Sequence, residues 1–194
     1  STEGITVTRK EVVVKPVKDV VKPPVKQSVI KNDKRKLRIG WFSFSCCEDS
    51  TIVFTEMLND YYDKWKDEID IRYARVFRKN NDMSGLDVAF VEGAISNEKA
   101  AEELKKIREN CKKLVAIGAC AITGMPSGQR NNFDERRKRE IEPVIEAFGY
   151  RKDVVPLHEL VIVDDNVPGC PMLEASFLAI LNKYIKEFGI DAQL

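Results

Sequence analysis

Leu37-Arg-Ile-Gly-Trp-Phe42, continued by Ser43-Phe-Ser-Cys-Cys-Glu-Asp-Ser50, is an apolar run that stops at a polar turn bearing two adjacent cysteines. The run is short and apolar, as a buried strand is, and Ser50 is the expected N-cap of a following helix. From Thr51 to Lys66, Val53, Phe54, Met57, Leu58 and Tyr61 fall at helical spacing with the charges opposite them. Working outward, the unit recurs. Ile69-Asp-Ile-Arg-Tyr-Ala-Arg-Val76 alternates as a second strand, and Arg78 to Ser84 is a polar loop. Leu86-Asp-Val-Ala-Phe-Val91 reads as a buried third strand running into Glu92-Gly93. Glu98 to Asn110 is an amphipathic helix, and Lys113-Leu-Val-Ala-Ile117 is a fourth strand leading to Gly118-Ala-Cys120. Strands alternating with helices at this rhythm predict an α/β fold with a parallel sheet flanked by helices, in which ligands collect at the carboxyl ends of the strands.

The remainder of the chain is less regular. Asp134 to Phe148 reads as a charged helix, and Val154 to Val163 as irregular extended structure. Pro168-Gly-Cys-Pro171 reads as a tight turn. Met172 to Phe188 reads as a closing helix with Leu173, Phe177, Ile180, Leu181, Tyr184 and Ile185 on its core-facing stripe.

With 194 residues, 43% of them hydrophobic, the chain can bury one well-packed core over residues 37–194. Residues 1–36 differ in character, repeating Val, Lys and Pro, and Pro16, Pro23 and Pro24 deny a central strand its donors. They are expected to form an extended basic arm that is either solvated or packed along a partner subunit. The formal net charge of +1 hides ten Lys and Arg against four acids in that arm, which leaves 22 basic against 27 acidic residues in the domain. The arm has no aromatic side chains to stack on bases, which argues against single-stranded nucleic acid. No apolar run is long enough to span a bilayer and the N-terminus has no signal-peptide pattern, so a soluble cytoplasmic protein is expected.

Five cysteines are an odd number for a disulfide framework, and a reducing compartment disfavours one. Four of them follow short apolar runs at turns: Cys46 and Cys47, Cys120, and Cys170. Burial as small hydrophobes does not require turns, and adjacent cysteines do not match the separated pairs of structural zinc sites. The four are therefore read as one iron-sulfur site. Gly118 and Gly169 would let backbone approach the cluster and offer amides to its sulfides, while Pro168 and Pro171 stiffen the last turn. Cys111 lies in no such turn and reads as an ordinary thiol. His158 has no second histidine or neighbouring cysteine and reads as a loop residue. The basic segment Arg130 with Arg136-Arg-Lys-Arg139 could form a nucleic-acid patch, but Asp134, Glu135, Glu140 and Glu142 interleave with it, and it reads as a solvated helix face.

Ile39-Gly-Trp-Phe42, Cys46-Cys-Glu-Asp-Ser50, Val91-Glu-Gly93, Ile117-Gly-Ala-Cys-Ala-Ile-Thr-Gly124 and Val167-Pro-Gly-Cys-Pro171 resemble, in order, the small-subunit family of nickel-iron hydrogenases, which includes the 20 kDa subunit of respiratory complex I. The resemblance covers about residues 37–185. Gly124 to Asn131 and Pro156-Leu-His-Glu-Leu160 look most like the short small subunits of soluble NAD-linked hydrogenases. It implies a flavodoxin-like fold and one 4Fe-4S cluster held by Cys46, Cys47, Cys120 and Cys170 beside a nickel-iron large subunit. It further implies flavin or iron-sulfur subunits of diaphorase or ferredoxin type downstream, and a non-catalytic electron-transfer role for this chain. A proton-relay or interface role is implied for Glu92, against the plain alternative of a solvated strand-end acid. The tandem Cys46-Cys47 departs from the hydrogenase Cys-x-x-Cys and looks like the complex I subunit, whose partner lacks nickel. The fourth ligand is then Cys46 or, as a weak oxygen donor, Ser50. A scaffold subunit that has lost its cofactor is the remaining alternative.

Overall fold

The computed structural model describes residues 35–190. All but the last two residues of the expected arm lie outside the described residues, as do residues 191–194. Seven strands are described: β1 (Leu37–Ser43), β2 (Ile69–Ala74), β3 (Leu86–Glu92), β4 (Ile95–Asn97), β5 (Cys111–Ile117), β6 (Tyr150–Val155) and β7 (Asp165–Val167). Five of them form one parallel sheet in the order β2-β1-β3-β5-β7, with the order reversing beside β1 as in doubly wound, flavodoxin-like folds. Ser43 is in register with Glu92, Glu92 with Ile117, and Ile117 with Val167. The last residues of four strands therefore form a single row, and the segments leaving them emerge side by side.

The helices are α1 (Asp49–Asp60), α2 (Tyr62–Glu68), α3 (Glu98–Asn110), α4 (Gly118–Thr123), α5 (Glu135–Ala147) and α6 (Glu174–Glu187). Alternation along the strands sends Leu37, Ile39, Trp41, Val88 and Phe90 to one face, where α1, α2 and α6 cover them with Phe54, Met57, Trp65, Phe177, Leu181 and Tyr184. Phe42, Ala89, Val91, Leu114 and Ala116 face the other way, against Ala101, Leu104 and Ile107 of α3 and Ala121 of α4. Trp41 stacks on Phe54 at 4.3 Å, and Phe177 meets both rings edge-on. Such contacts contribute roughly 0.5–1.5 kcal/mol per pair beyond the area they bury.

Several expectations are corrected. The single helix expected from Thr51 to Lys66 is two, broken at Tyr61, and the residue before α1 is Glu48 in the left-handed region (φ 64°). Ser50 is no N-cap. It is buried inside the first turn, where its amide donates to Glu92 and its hydroxyl accepts from the Met172 amide. A carboxylate from a distant strand thus satisfies an amide that a local cap would otherwise serve. The closing helix starts at Glu174, which leaves Leu173 56% exposed instead of in the core. The stretch expected to be irregular from Val154 to Val163 contains the end of β6 and a 3-10 turn at Leu157–Glu159, and β7 begins only at Asp165. β4 and β6, which no sequence pattern marked as a pair, form a separate antiparallel two-stranded sheet. No helix among the described residues is long and apolar enough to cross a membrane.

Near the amino end of β3, far along the strand from Glu92, the side chain of Asp87 is 0% exposed. Its carboxylate accepts from the Arg38 amide (3.1 Å), the Arg38 guanidinium (3.3 Å) and Lys112 Nζ (2.8 Å). Burial pushes this carboxyl up, but the bonds from Arg38 and Lys112 outweigh it and hold its pKa down at about 2. Because the folded value is depressed, the stabilisation is present above the unfolded carboxylate range and is lost as pH falls toward 2. Asp87→Asn is expected to cost roughly 1–2 kcal/mol at pH 7 and to flatten the loss of stability between about pH 5 and 2, read by urea unfolding across that range.

Candidate metal centre

Cys46, Cys120 and Cys170 each stand three residues beyond the row of strand ends, past Ser43, Ile117 and Val167 respectively. Cys47 follows directly. With Ser50, Glu92, Gly118 and Gly169, all four thiols line one small cleft at the carboxyl edge of the sheet. None is in a disulfide; Cys120 is buried, Cys46 half-buried, and Cys47 and Cys170 are exposed. Among the described residues no group of three or more His, Cys, Asp or Glu side chains is gathered to hold a single metal ion. The four thiols form a rim around a shared space. Cys111 is buried at the other end of the sheet, in register with Leu86, as an ordinary thiol would be.

The loops that carry these thiols brace one another. The segment after β1 is bonded to the segment after β3 through Phe44 N to Glu92 O (2.8 Å) and reciprocal bonds between Ser45 and Ala94 (3.1 and 3.0 Å). A Cβ at Gly93 (φ 91°) would stand 2.8 Å from the Phe44 carbonyl carbon, so this approach needs glycine. The start of α4 is tied to the Cys170 turn by Ala119 N donating to Gly169 O at 2.8 Å. Gly118 and Gly169 also line the cleft, so the contact that joins their loops lies at its wall.

The Glu92 side chain is 3% exposed, which overturns the solvated alternative. One oxygen accepts from Ser50 N (3.1 Å) and the other from the Thr51 hydroxyl (2.7 Å), whose oxygen in turn accepts from Trp41 Nε1 (2.8 Å). The acid is seated on the first turn of α1, where unpaired amides favour negative charge. Burial first, and then the Glu92 carboxylate, push the Cys46 thiol up to about 12, and its sulfur lies 3.7 Å from the Phe44 carbonyl. For Cys47 the Asp49 amide pulls down, but burial and the Asp49 side chain leave the thiol raised. Metal binding at this rim must displace protons, as thiolate ligation requires. Four free thiols on one cleft are the donor chemistry of a 4Fe-4S cluster, so the residues present fit that group.

The sequence profile of the family described as NADH ubiquinone oxidoreductase, 20 Kd subunit, matches residues 46–184. The chain belongs to this family. The matched span of the 20 kDa-type domain includes all four rim cysteines and Glu92, in line with the resemblance seen in the motifs. Over 164 residues it is 25% identical to the delta subunit of the NAD-reducing hydrogenase HoxS of Cupriavidus necator, covering 76% of this chain and 78% of that one. Over 155 residues it is 30% identical to a subunit of the F420-non-reducing hydrogenase of Methanothermobacter marburgensis, with 70% of this chain and 49% of the relative covered. The chain thus spans about half the length of that methanogen relative. Among solved structures, it matches a chain of an NAD+-reducing [NiFe]-hydrogenase in the H2-reduced state at a TM-score of 0.65 and 26% identity, covering 82% of this chain and 96% of that one.

In the 20 kDa-type domain, two groups of residues at the site escaped the reading of the sequence. Trp41 and Thr51 are linked to Glu92 through side-chain atoms that only the fold brings together. Ser127, from the Gly124–Gly128 turn, reaches Ser45 O at 2.8 Å and Cys120 Sγ at 3.2 Å. The serine between two glycines in that turn was the available signal. His158 is exposed in the Leu157–Glu159 turn. The Arg136 to Arg139 run lies on α5, an exposed helix with no buried residue, where Arg136, Arg137 and Lys138 pair with Glu140, Asp134 and Glu135. That run is a solvated face of the kind expected, whereas Arg130 is half-buried, its guanidinium donating to Ser96 O (3.2 Å) and Arg151 O (2.8 Å).

Proposed function

We propose that this chain is the electron-transfer small subunit of a soluble, cytoplasmic nickel-iron-hydrogenase-like complex, holding one 4Fe-4S cluster on Cys46, Cys47, Cys120 and Cys170. The observation that carries the reading is the delivery of four thiols to one cleft from three strands whose ends stand in a row. Such a cluster supplies a one-electron carrier, and the chain performs no bond chemistry of its own. Cys120 contributes from the cleft floor, while the exposed Cys47 and Cys170 place the carrier at the protein edge, where a large subunit can approach. Ser50 lines the same cleft, but its hydroxyl already accepts from the Met172 amide, which favours Cys46 as the fourth ligand. Glu92 clamps the first turn of α1 beside the cleft and is the candidate for an interface or proton-relay role. A flavin or iron-sulfur module is the proposed electron partner on the far side.

The tandem Cys46-Cys47 favours a second reading, a complex I-like subunit whose partner lacks nickel. Metal analysis of the complex isolated intact separates the two. Nickel bound to the large partner, together with iron on this chain, supports the first; iron without nickel supports the second.

A further inference from the structure

We propose that Ser127 is a positioning residue that ties the Cys46-Cys47 loop to Cys120 and sets the redox potential of the group they hold. The proposal rests on the reading that Cys120 is a cluster ligand. Ser127 lies in a loop held in place from several sides. Gly128 N donates to Gly124 O at 2.7 Å, and a Cβ on Gly128 would stand as close to that same oxygen. Asn131 exchanges two hydrogen bonds with the backbone of Val154 in β6, at 2.7 and 2.9 Å. The hydroxyl is thereby aimed at two atoms belonging to different ligand loops, Ser45 O at 2.8 Å and Cys120 Sγ at 3.2 Å.

A serine hydroxyl has one proton to give and two lone pairs to receive with. While Cys120 is a thiol, both contacts are satisfied if its S–H donates to Ser127 and Ser127 donates to the Ser45 carbonyl. Once metal coordination displaces the Cys120 proton to solvent, the Ser127 hydrogen is the only one left between the three atoms. A negative sulfur is a stronger acceptor than a neutral carbonyl. The hydrogen is then divided in a three-centre bond between Cys120 Sγ, which takes the larger share, and the carbonyl of Ser45, one residue before Cys46. One side chain holds the spacing of two loops and donates to a ligating sulfur. Donation to a ligand sulfur favours the more negative, reduced cluster and so raises its potential.

The test uses the full chain, wild type, Ser127→Val and Ser127→Thr, purified anaerobically, with iron and sulfide content and an EPR-monitored redox titration as readouts. Valine approximates threonine in shape but has no hydroxyl. The expected result is full cluster in all three, with the reduced-to-oxidised ratio at fixed potential falling between about threefold and tenfold in Ser127→Val, the upper figure being about 59 mV for one electron, and restored in Ser127→Thr. Loss of the cluster in the valine variant alone also supports the tie between the loops. An unchanged potential in a fully loaded Ser127→Val protein would overturn the proposal, as would equal loss of cluster in both variants. A wild-type chain without iron would overturn the cofactor assignment itself, and is distinguished by the first readout alone.

Discussion

Cys120→Ser is expected to leave a folded protein that has lost the proposed cluster and, with it, electron flow through the subunit. Cys120 is almost fully buried on the cleft floor beside Ala94 and Val154, in the first turn of α4, and no other thiol of the rim occupies that depth. A serine hydroxyl there is a poor substitute, because iron-sulfur clusters are held by thiolates and a hydroxyl surrenders its proton far less readily than a thiol. The change removes little volume and no structural bond except the Ser127 contact, so far-UV circular dichroism should be unchanged. Iron per chain is expected to fall to a small fraction of the wild-type level, and electron transfer to an artificial acceptor in the assembled complex by more than about a hundredfold, since the proposed cluster is the one carrier assigned to this chain. Cys111→Ser is the control. It sits at the opposite end of the sheet, and both readouts should stay at the wild-type level. Intact activity in Cys120→Ser would instead support the scaffold alternative.

Gly169→Ala is expected to be the most damaging substitution that removes no ligand. Gly169 has φ 122°, a region that L side chains rarely adopt. A Cβ there would run into the Pro171 carbonyl oxygen and come within 2.9 Å of Leu173 N, both of them backbone, so nothing flexible can yield. Its own carbonyl also receives the Ala119 amide, so any shift is passed to the start of α4 and to Cys120. The cost should be about 2–4 kcal/mol, with strain and steric overlap both contributing, and cluster content should fall with it. Gly149→Ala is the comparison, since Gly149 also has positive φ (64°) but its Cβ would meet nothing within 4 Å, and about 1 kcal/mol is expected there. Both are read by urea unfolding and iron content. Equal effects at the two glycines would contradict the tight packing of the Cys170 turn.

The parts of the fold that the sequence announces are those in which one local pattern suffices. β1, β3 and β5 are mostly apolar because both of their faces are covered, with Arg38, Asp87, Lys112 and Lys113 confined to their amino ends, and each leads to a residue of the site. The span of α3, Glu98–Asn110, was readable to the residue because Asn97 caps it and Ala101, Leu104 and Ile107 share one face. β7 was not readable, because Asp165-Asn-Val167 has no apolar run. It pairs with β5 beside Asp164, which bonds the Leu114 amide, while Asp165 accepts from Lys183 and Tyr184 of α6. The break at Tyr61 has no glycine or proline to mark it. At the site, the turns exposed the cysteines, but their common row depends on strand register, which no single segment encodes. The roles of Ser50, Glu92 and Ser127 depend on partners 122, 42 and 82 residues away, and local spacing is blind to these.

The central claim is that the rim of four thiols holds one 4Fe-4S cluster. Its most direct test is iron and acid-labile sulfide analysis of the anaerobically purified chain, with low-temperature EPR after reduction. The account predicts a brown protein with about four iron and four sulfide per chain and an EPR signal that Cys120→Ser abolishes. A colourless protein that contains zinc, or no metal, would contradict it.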